Sequence, residues 1–247
     1  MAVDFNFKEK YQFNDLVDIV RILREPGGCP WDMEQTHQSI RENFLEETYE
    51  VIEAIDTNNK ELMQEELGDV LLQVLMHADM ARTDGWFTID EVANDICQKL
   101  IIRHPHVFGD ISVSSTGEVL KNWDDIKRQT KKQTTQSEAM AAIPATYPAL
   151  MKAQKVQSKA KKAGFDWDDA QGAFDKILEE TAELKEALAK GDQMAVEDEL
   201  GDLLFSAVNV ARFCDCDAET ALDKATKKFM ARYTITERLA QEQGIDM

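Results

Sequence analysis

Residues 45–56 (Leu-Glu-Glu-Thr-Tyr-Glu-Val-Ile-Glu-Ala-Ile-Asp) and 178–189 (Leu-Glu-Glu-Thr-Ala-Glu-Leu-Lys-Glu-Ala-Leu-Ala) agree at seven of twelve positions under an offset of 133 residues. The same offset carries Glu66-Leu67-Gly68-Asp69 onto Glu199-Leu200-Gly201-Asp202, and an offset of 129 carries Lys99 and Arg103 onto Lys228 and Arg232. A chain of 247 residues with such internal self-similarity reads as a duplication, with one chemical apparatus in each half.

The repeated segments have helical spacing. Leu45, Tyr49 and Ile52, then Val70 and Val74, recur at three to four residues among good helix formers, and no sustained alternation of period two interrupts them. Capping-box spacing at Thr88/Glu91 and Ser115/Glu118 marks helix starts. Helices are expected near 11–24, 37–57, 60–82, 89–103, 116–135, 148–162, 169–190, 192–214 and 218–242. The fold class is therefore all-α, built from duplicated helical domains.

Charge narrows the partners. Asp and Glu number 47 against 28 Lys and Arg, a formal charge of −19, which repels a phosphodiester backbone and an anionic bilayer alike. Nucleic-acid and membrane binding are not expected. Cys29, Cys97, Cys214 and Cys216 form no framework, residues 1–15 have no apolar signal region, and a reduced, cytoplasmic setting fits best. Residues 121–162 depart from the acidic pattern with ten cations and three acids, and residues 134–148 within them are linker-like. The expected division is an N-terminal domain at 1–120, a basic helical linker at 121–162 and a C-terminal domain at 163–247.

Each half offers Glu-x-x-Glu (Glu47 and Glu50; Glu180 and Glu183) and, with fifteen residues between, Glu-x-x-Asp (Glu66 and Asp69; Glu199 and Asp202). Positions i and i+3 share a helical face, and a short turn near Asn58-Asn59 or Gly191-Asp192 makes the helices antiparallel neighbours, so four carboxylates converge. Like charges at that spacing call for a hard divalent cation, Mg²⁺ first and Mn²⁺ as its substitute. A single pair of this kind is ordinary helix surface; the recurrence of both pairs at one gap favours metal. Gly68 and Gly201 inside helical patterns cost about 1 kcal/mol relative to Ala, which predicts a partner helix or ligand close by. The i, i+4 cations Lys99/Arg103 and Lys228/Arg232, repeated at matched places, suit a polyphosphate bridged by the cation.

These residues resemble the MazG family of nucleoside triphosphate pyrophosphohydrolases over nearly the whole chain. In the first half the resemblance rests on Pro26-Gly27-Gly28-Cys29-Pro30-Trp31-Asp32, Glu34-Gln35-Thr36-His37, Leu45-Glu46-Glu47, Glu65-Glu66-Leu67-Gly68-Asp69 and Arg103 to Gly109. In the second it rests on Gly164-Phe165-Asp166-Trp167, Leu178-Glu179-Glu180, Glu199-Leu200-Gly201-Asp202, Lys228-Phe229 and Arg232.

The resemblance implies helical bundles completed by homodimerisation and Mg²⁺-dependent hydrolysis of NTPs or dNTPs to the monophosphate and pyrophosphate. By analogy Glu180, Glu183, Glu199 and Asp202 hold the cation, with Glu47, Glu50, Glu66 and Asp69 the equivalent set. Lys228 and Arg232, and equivalently Lys99 and Arg103, bind the triphosphate. Water attacks the α-phosphorus, Glu180 or Glu179 orients or deprotonates it, and the second half is the favoured catalyst. Trp167 is a candidate for stacking on the base, although aromatic packing at a helix entry is the commoner role of such a residue.

Two departures from a perfect repeat stand out: Asp198 replaces the Glu found at 65, and Tyr233-Thr234-Ile235 replaces His104-Pro105-His106. Neither histidine is assigned to metal or catalysis. A carboxylate-bridged di-iron oxidase needs Glu-x-x-His, and no His stands at that spacing from these acids. A non-catalytic helical dimeric regulatory module, or a narrower enzyme for dUTP or phosphoribosyl-ATP, remains the alternative.

Overall fold

The computed structural model describes residues 5–119, 122, 123, 126 and 135–245. Among them there are helices and no strands, and no helix is long and apolar enough to cross a membrane. The chain separates into two compact units, residues 1–126 and 127–247.

The first unit contains α1 (Phe13–Arg24), α2 (Pro30–Glu34), α3 (Arg41–Asp56), α4 (Lys60–Thr83), α5 (Ile89–Arg103) and α6 (Pro105–Phe108). Its core gathers Val20 of α1, Ile40, and Leu75, Met76 and Met80 of α4, with Leu16, Val17, Leu71, Leu72 and Ile89 against them. Beneath this core, Arg24 Nε donates to Asp79 Oδ2 at 3.1 Å. The helix expected from residue 37 begins at Arg41. Before it, Thr36 and Ser39 exchange side-chain to backbone hydrogen bonds and Ser39 Oγ donates to Gln35 Oε1, which satisfies the local polar groups in a turn.

Helices α3 and α4 form a hairpin. Thr57, Asn58 and Asn59 turn the chain, with Asn58 at φ 52°, and Asn59 Oδ1 caps α4 by accepting from Leu62 N–H. Thr88 and Glu91 close the expected capping box on α5. His104 ends α5 with Nδ1 2.6 Å from the Leu100 carbonyl, and Pro105 opens α6 as its first residue.

The second unit contains α7 (Gln136–Ala141), α8 (Ala149–Lys162), α9 (Ala170–Lys190), α10 (Gln193–Phe213) and α11 (Ala218–Glu242). The expected helix over 116–135 shows helical residues at 116–119, while much of the rest lies outside the described residues. A helix missed by sequence reading, α7, occupies the segment read as linker-like: Thr135 and Glu138 make a capping box and Ala139 is buried. The basic helix α8 packs on α10 and α11 through glutamines. Gln157 Nε2 donates to the Phe205 carbonyl at 2.7 Å, and Gln154 accepts from Ala218 N–H and donates to the Cys216 carbonyl.

Helices α9 and α10 form the second hairpin. Gly191 at φ 69° ends α9 in the left-handed conformation that a residue with a Cβ adopts only with strain, and Asp192 Oδ1 then caps α10 by accepting from Met194 and Ala195. Two residues thus complete the reversal.

Candidate functional site

Each hairpin brings its predicted acids together. In the first unit, carboxylate oxygens of Glu47 on α3 and of Glu66 and Asp69 on α4 lie within 4.8 Å of one another. Glu50 stands against both Glu47 and Glu66. Burial, joined by the charges of Asp69, Glu50 and Glu46, pushes Glu47 above the ordinary carboxylate range, and burial with Glu50 does the same to Glu66.

In the second unit, Glu180, Glu199 and Asp202 form one such group and Glu179, Glu180 and Glu183 another, so Glu180 belongs to both. Burial together with Glu183, Glu180 and Asp202 pushes Glu199 upward. Glu180 is 4% exposed, and its Oε2 is buried with no hydrogen-bond partner. A buried carboxylate oxygen left unmatched costs free energy, of order 1–3 kcal/mol or more. Set among further acids, it suits a hard oxygen-seeking cation, and the donor set fits Mg²⁺. Glu65 and Asp198, the departure between halves, are exposed and enter neither cluster.

Lys176 went unnoticed in the sequence. Its Nζ lies 2.5 Å from Glu180 Oε1 and 3.0 Å from Glu179 Oε1, and those hydrogen bonds push the ammonium above its ordinary value. The available signal was its i, i+4 spacing to Glu180, which is common on helix surfaces. Lys176 also borders a cavity of about 420 Å³ walled by Phe165, Trp167, Val156, Ala160 and Phe205. Two features fix Trp167 there. Gly172 lies under the indole, where a Cβ would come within 2.8 Å of Cδ2 and Cε3. Arg212 holds the same loop by a two-pronged ion pair with Asp166 and is itself braced by Asn209.

The predicted cations sit apart from these contacts. Lys99, Lys228 and Arg232 make no side-chain hydrogen bond or ion pair among the described residues, and Arg103 lies over the Trp123 ring at 5.4 Å. Gly68 and Gly201 were expected to admit a close neighbour, but a Cβ at either would meet nothing within 4 Å. Among the described residues no packed helix accounts for them.

An all-α chain with a carboxylate-lined hairpin in each half is the class that fold and site define. The MazG nucleotide pyrophosphohydrolase domain matches residues 35–108 and 168–235, and both hairpins fall within those matches. The nucleoside triphosphate pyrophosphohydrolase/pyrophosphatase MazG of Thermotoga maritima is 49% identical over 233 residues, 94% of this chain and 88% of the relative. The nucleoside triphosphate pyrophosphohydrolase of Escherichia coli K12 is 43% identical over 239 residues, 96% of this chain and 91% of the relative. The uncharacterized protein YabN of Bacillus subtilis is 44% identical over 238 residues, which is 48% of its own length. The chain belongs to the MazG nucleotide pyrophosphohydrolase family and is an enzyme of the hydrolase class.

Proposed function

We propose that the protein hydrolyses NTPs and dNTPs at the α–β phosphoanhydride to the monophosphate and pyrophosphate, with Mg²⁺ as the working cation, Mn²⁺ as its substitute and broad tolerance of the base. The observation that carries this reading is the unpartnered, buried Oε2 of Glu180 at the meeting of two acidic groups. Glu180, Glu183, Glu199 and Asp202 would hold the cation in the second unit, and Glu47, Glu50, Glu66 and Asp69 in the first. Once bound, the cation supplies charge neutralisation to the phosphate oxygens and lowers the pKa of water.

The chain's own residues do the remainder. Glu179 or Glu180 would orient an attacking water and accept its proton; the more than half exposed side chain of Glu179, beside Glu180, supports its candidacy. Lys228 and Arg232 on α11, with Lys99 and Arg103 on α5 in the first half, would offset the charge of the triphosphate and the leaving pyrophosphate. The cavity that Trp167 lines would give the base an apolar seat, and stacking on an indole selects weakly among bases, which supports broad tolerance. The second unit, with its orphaned oxygen and adjoining cavity, is the main catalyst.

We further read the assembly as a cytoplasmic homodimer that binds neither nucleic acid nor membrane, with domains at 1–120 and 163–247 around a basic segment at 121–162. Leu178, Leu204, Phe229 and Met230 are 52–70% exposed on α9 to α11, an apolar surface that a second copy would cover. The open space over Gly68 and Gly201 is compatible with the same partner.

The test is a panel of ribo- and deoxyribonucleoside triphosphates, with and without Mg²⁺, scored by ³¹P NMR. Monophosphate and pyrophosphate in equal amounts, only with cation, are expected across the bases. Diphosphate and orthophosphate as products would overturn the cleavage position, and turnover confined to dUTP would favour a narrower enzyme.

A further inference from the structure

The two acidic clusters differ by one resident charge. Lys176 pairs with Glu180 and Glu179, whereas the equivalent position 133 residues earlier is Asn43, on α3, whose side chain makes no hydrogen bond among the described residues. Among the described residues, the charged groups that weigh most on Glu47 and Glu66 are carboxylates, namely Glu46, Glu50, Glu65 and Asp69. A dication entering the first cluster therefore meets uncompensated negative charge. One entering the second meets a carboxylate with one oxygen already held by an ammonium and the other, Oε2, buried without a partner. Glu180 is 4% exposed while the Lys176 side chain is 34% exposed, so water reaches the ammonium from its outer side and the carboxylate it holds is shielded.

We infer that Lys176 holds down the cation affinity of the second cluster in the nucleotide-free protein, so that the first cluster loads alone while the second loads together with a polyphosphate. The inference rests on the reading of both clusters as divalent-cation sites. Lys176 acts here as a specificity-setting counter-charge: its repulsion of the dication is cancelled only when the anionic tail of a nucleotide enters the same space. The first cluster, lacking that charge, has no such requirement. A cation there stabilises the hairpin of α3 and α4 whether or not substrate is present, and the second hairpin keeps its site free of an idle dication between turnovers.

The experiment is Mn²⁺ binding to the full chain, measured by the loss of the free-ion EPR signal. A Glu47→Gln/Glu66→Gln background silences the first cluster, and circular dichroism confirms the helical content of each variant. Without nucleotide, Lys176→Met is expected to tighten Mn²⁺ binding to the second cluster by about tenfold or more, whereas Lys176→Arg, which keeps the charge, stays as weak as the parent. Addition of an α,β-methylene triphosphate is expected to close the gap between parent and Lys176→Met. Asn43→Lys in the otherwise native chain is expected to weaken the tighter site.

Unchanged or weaker Mn²⁺ binding by Lys176→Met would overturn the inference, because a Lys that merely positions Glu180 predicts loss on its removal. Mn²⁺ bound equally by both variants, with Glu180→Gln abolishing it, would leave the metal reading standing and defeat the role of Lys176. Absence of bound Mn²⁺ in every variant, even with the analogue, would defeat both.

Discussion

Arg24 and Asp79 form an ion pair in which each side chain is only 9% exposed, and the residue equivalent to Asp79 in the second repeat is Arg212, which pairs with Asp166 instead. The duplicated units keep a buried ion pair at this place and reverse the sign of the charge contributed by the α4 or α10 position. Each pair ties that helix to residues N-terminal to its own hairpin, so each is expected to answer to mutation within its own unit.

Asp79→Ala leaves the Arg24 guanidinium buried beside the carbonyl of Asp32 without its carboxylate. Breaking a buried pair from one side costs about 3–5 kcal/mol. Thermal unfolding should show loss of the first unit's transition, while pyrophosphate release by the second unit persists. An unshifted first transition would show that neither Arg24 nor Arg82, which also reaches Asp79, draws stability from that carboxylate.

Gly172→Ala places a methyl group 2.8 Å from the Trp167 ring. The indole must move, at a cost of about 1–3 kcal/mol for overpacking. A red shift in tryptophan emission and a raised KM across all bases, with kcat less affected, are expected. An unaltered KM would separate Trp167 from the base seat.

Glu180→Gln and Asp202→Asn remove charge from the second cluster without changing its shape. Loss of one such electrostatic contact costs about 10²–10³ in rate, and the helical circular dichroism should be unaffected. Glu47→Gln should retain most turnover. Near-native activity in Glu180→Gln combined with Glu47→Gln would remove both clusters from the chemistry.

Glu66 gives a pH signature. Burial and Glu50 raise its folded pKa above the ordinary value of 4.5. The linked stability is thus fully present below 4.5 and is lost as pH rises through the folded value. In chelator at pH 7, Glu66→Gln should therefore raise the first unit's Tm, and the gain should shrink as pH is lowered toward 4.5. Excess Mg²⁺ should reverse the sign at neutral pH, because the carboxylate then has a partner. A constant difference between variant and parent across this range would contradict the assignment.

The repeat, the helix class and the convergence of the acids were legible because each rests on spacing that survives folding: i, i+3 pairs on helices joined by short turns must face one another. What escaped rests on contacts between distant residues or on elements shorter than a period. Helices α2 and α6 begin with Pro30 and Pro105 and are too short to show one, and α7 hides behind prolines that suggest linker. Lys176 looks like any surface lysine until Glu180 is seen to be buried. Gly68 and Gly201 suggested a close neighbour, and the described residues provide none.

Because Thr57-Asn58-Asn59 and Gly191-Asp192 close their hairpins so tightly, every acid of a site is inherited on one short stretch of gene. Copying that stretch copies a whole ligand set, and afterwards either copy is free to drift toward a new duty, as the Asn and Lys at positions 43 and 176 record, without dismantling its twin.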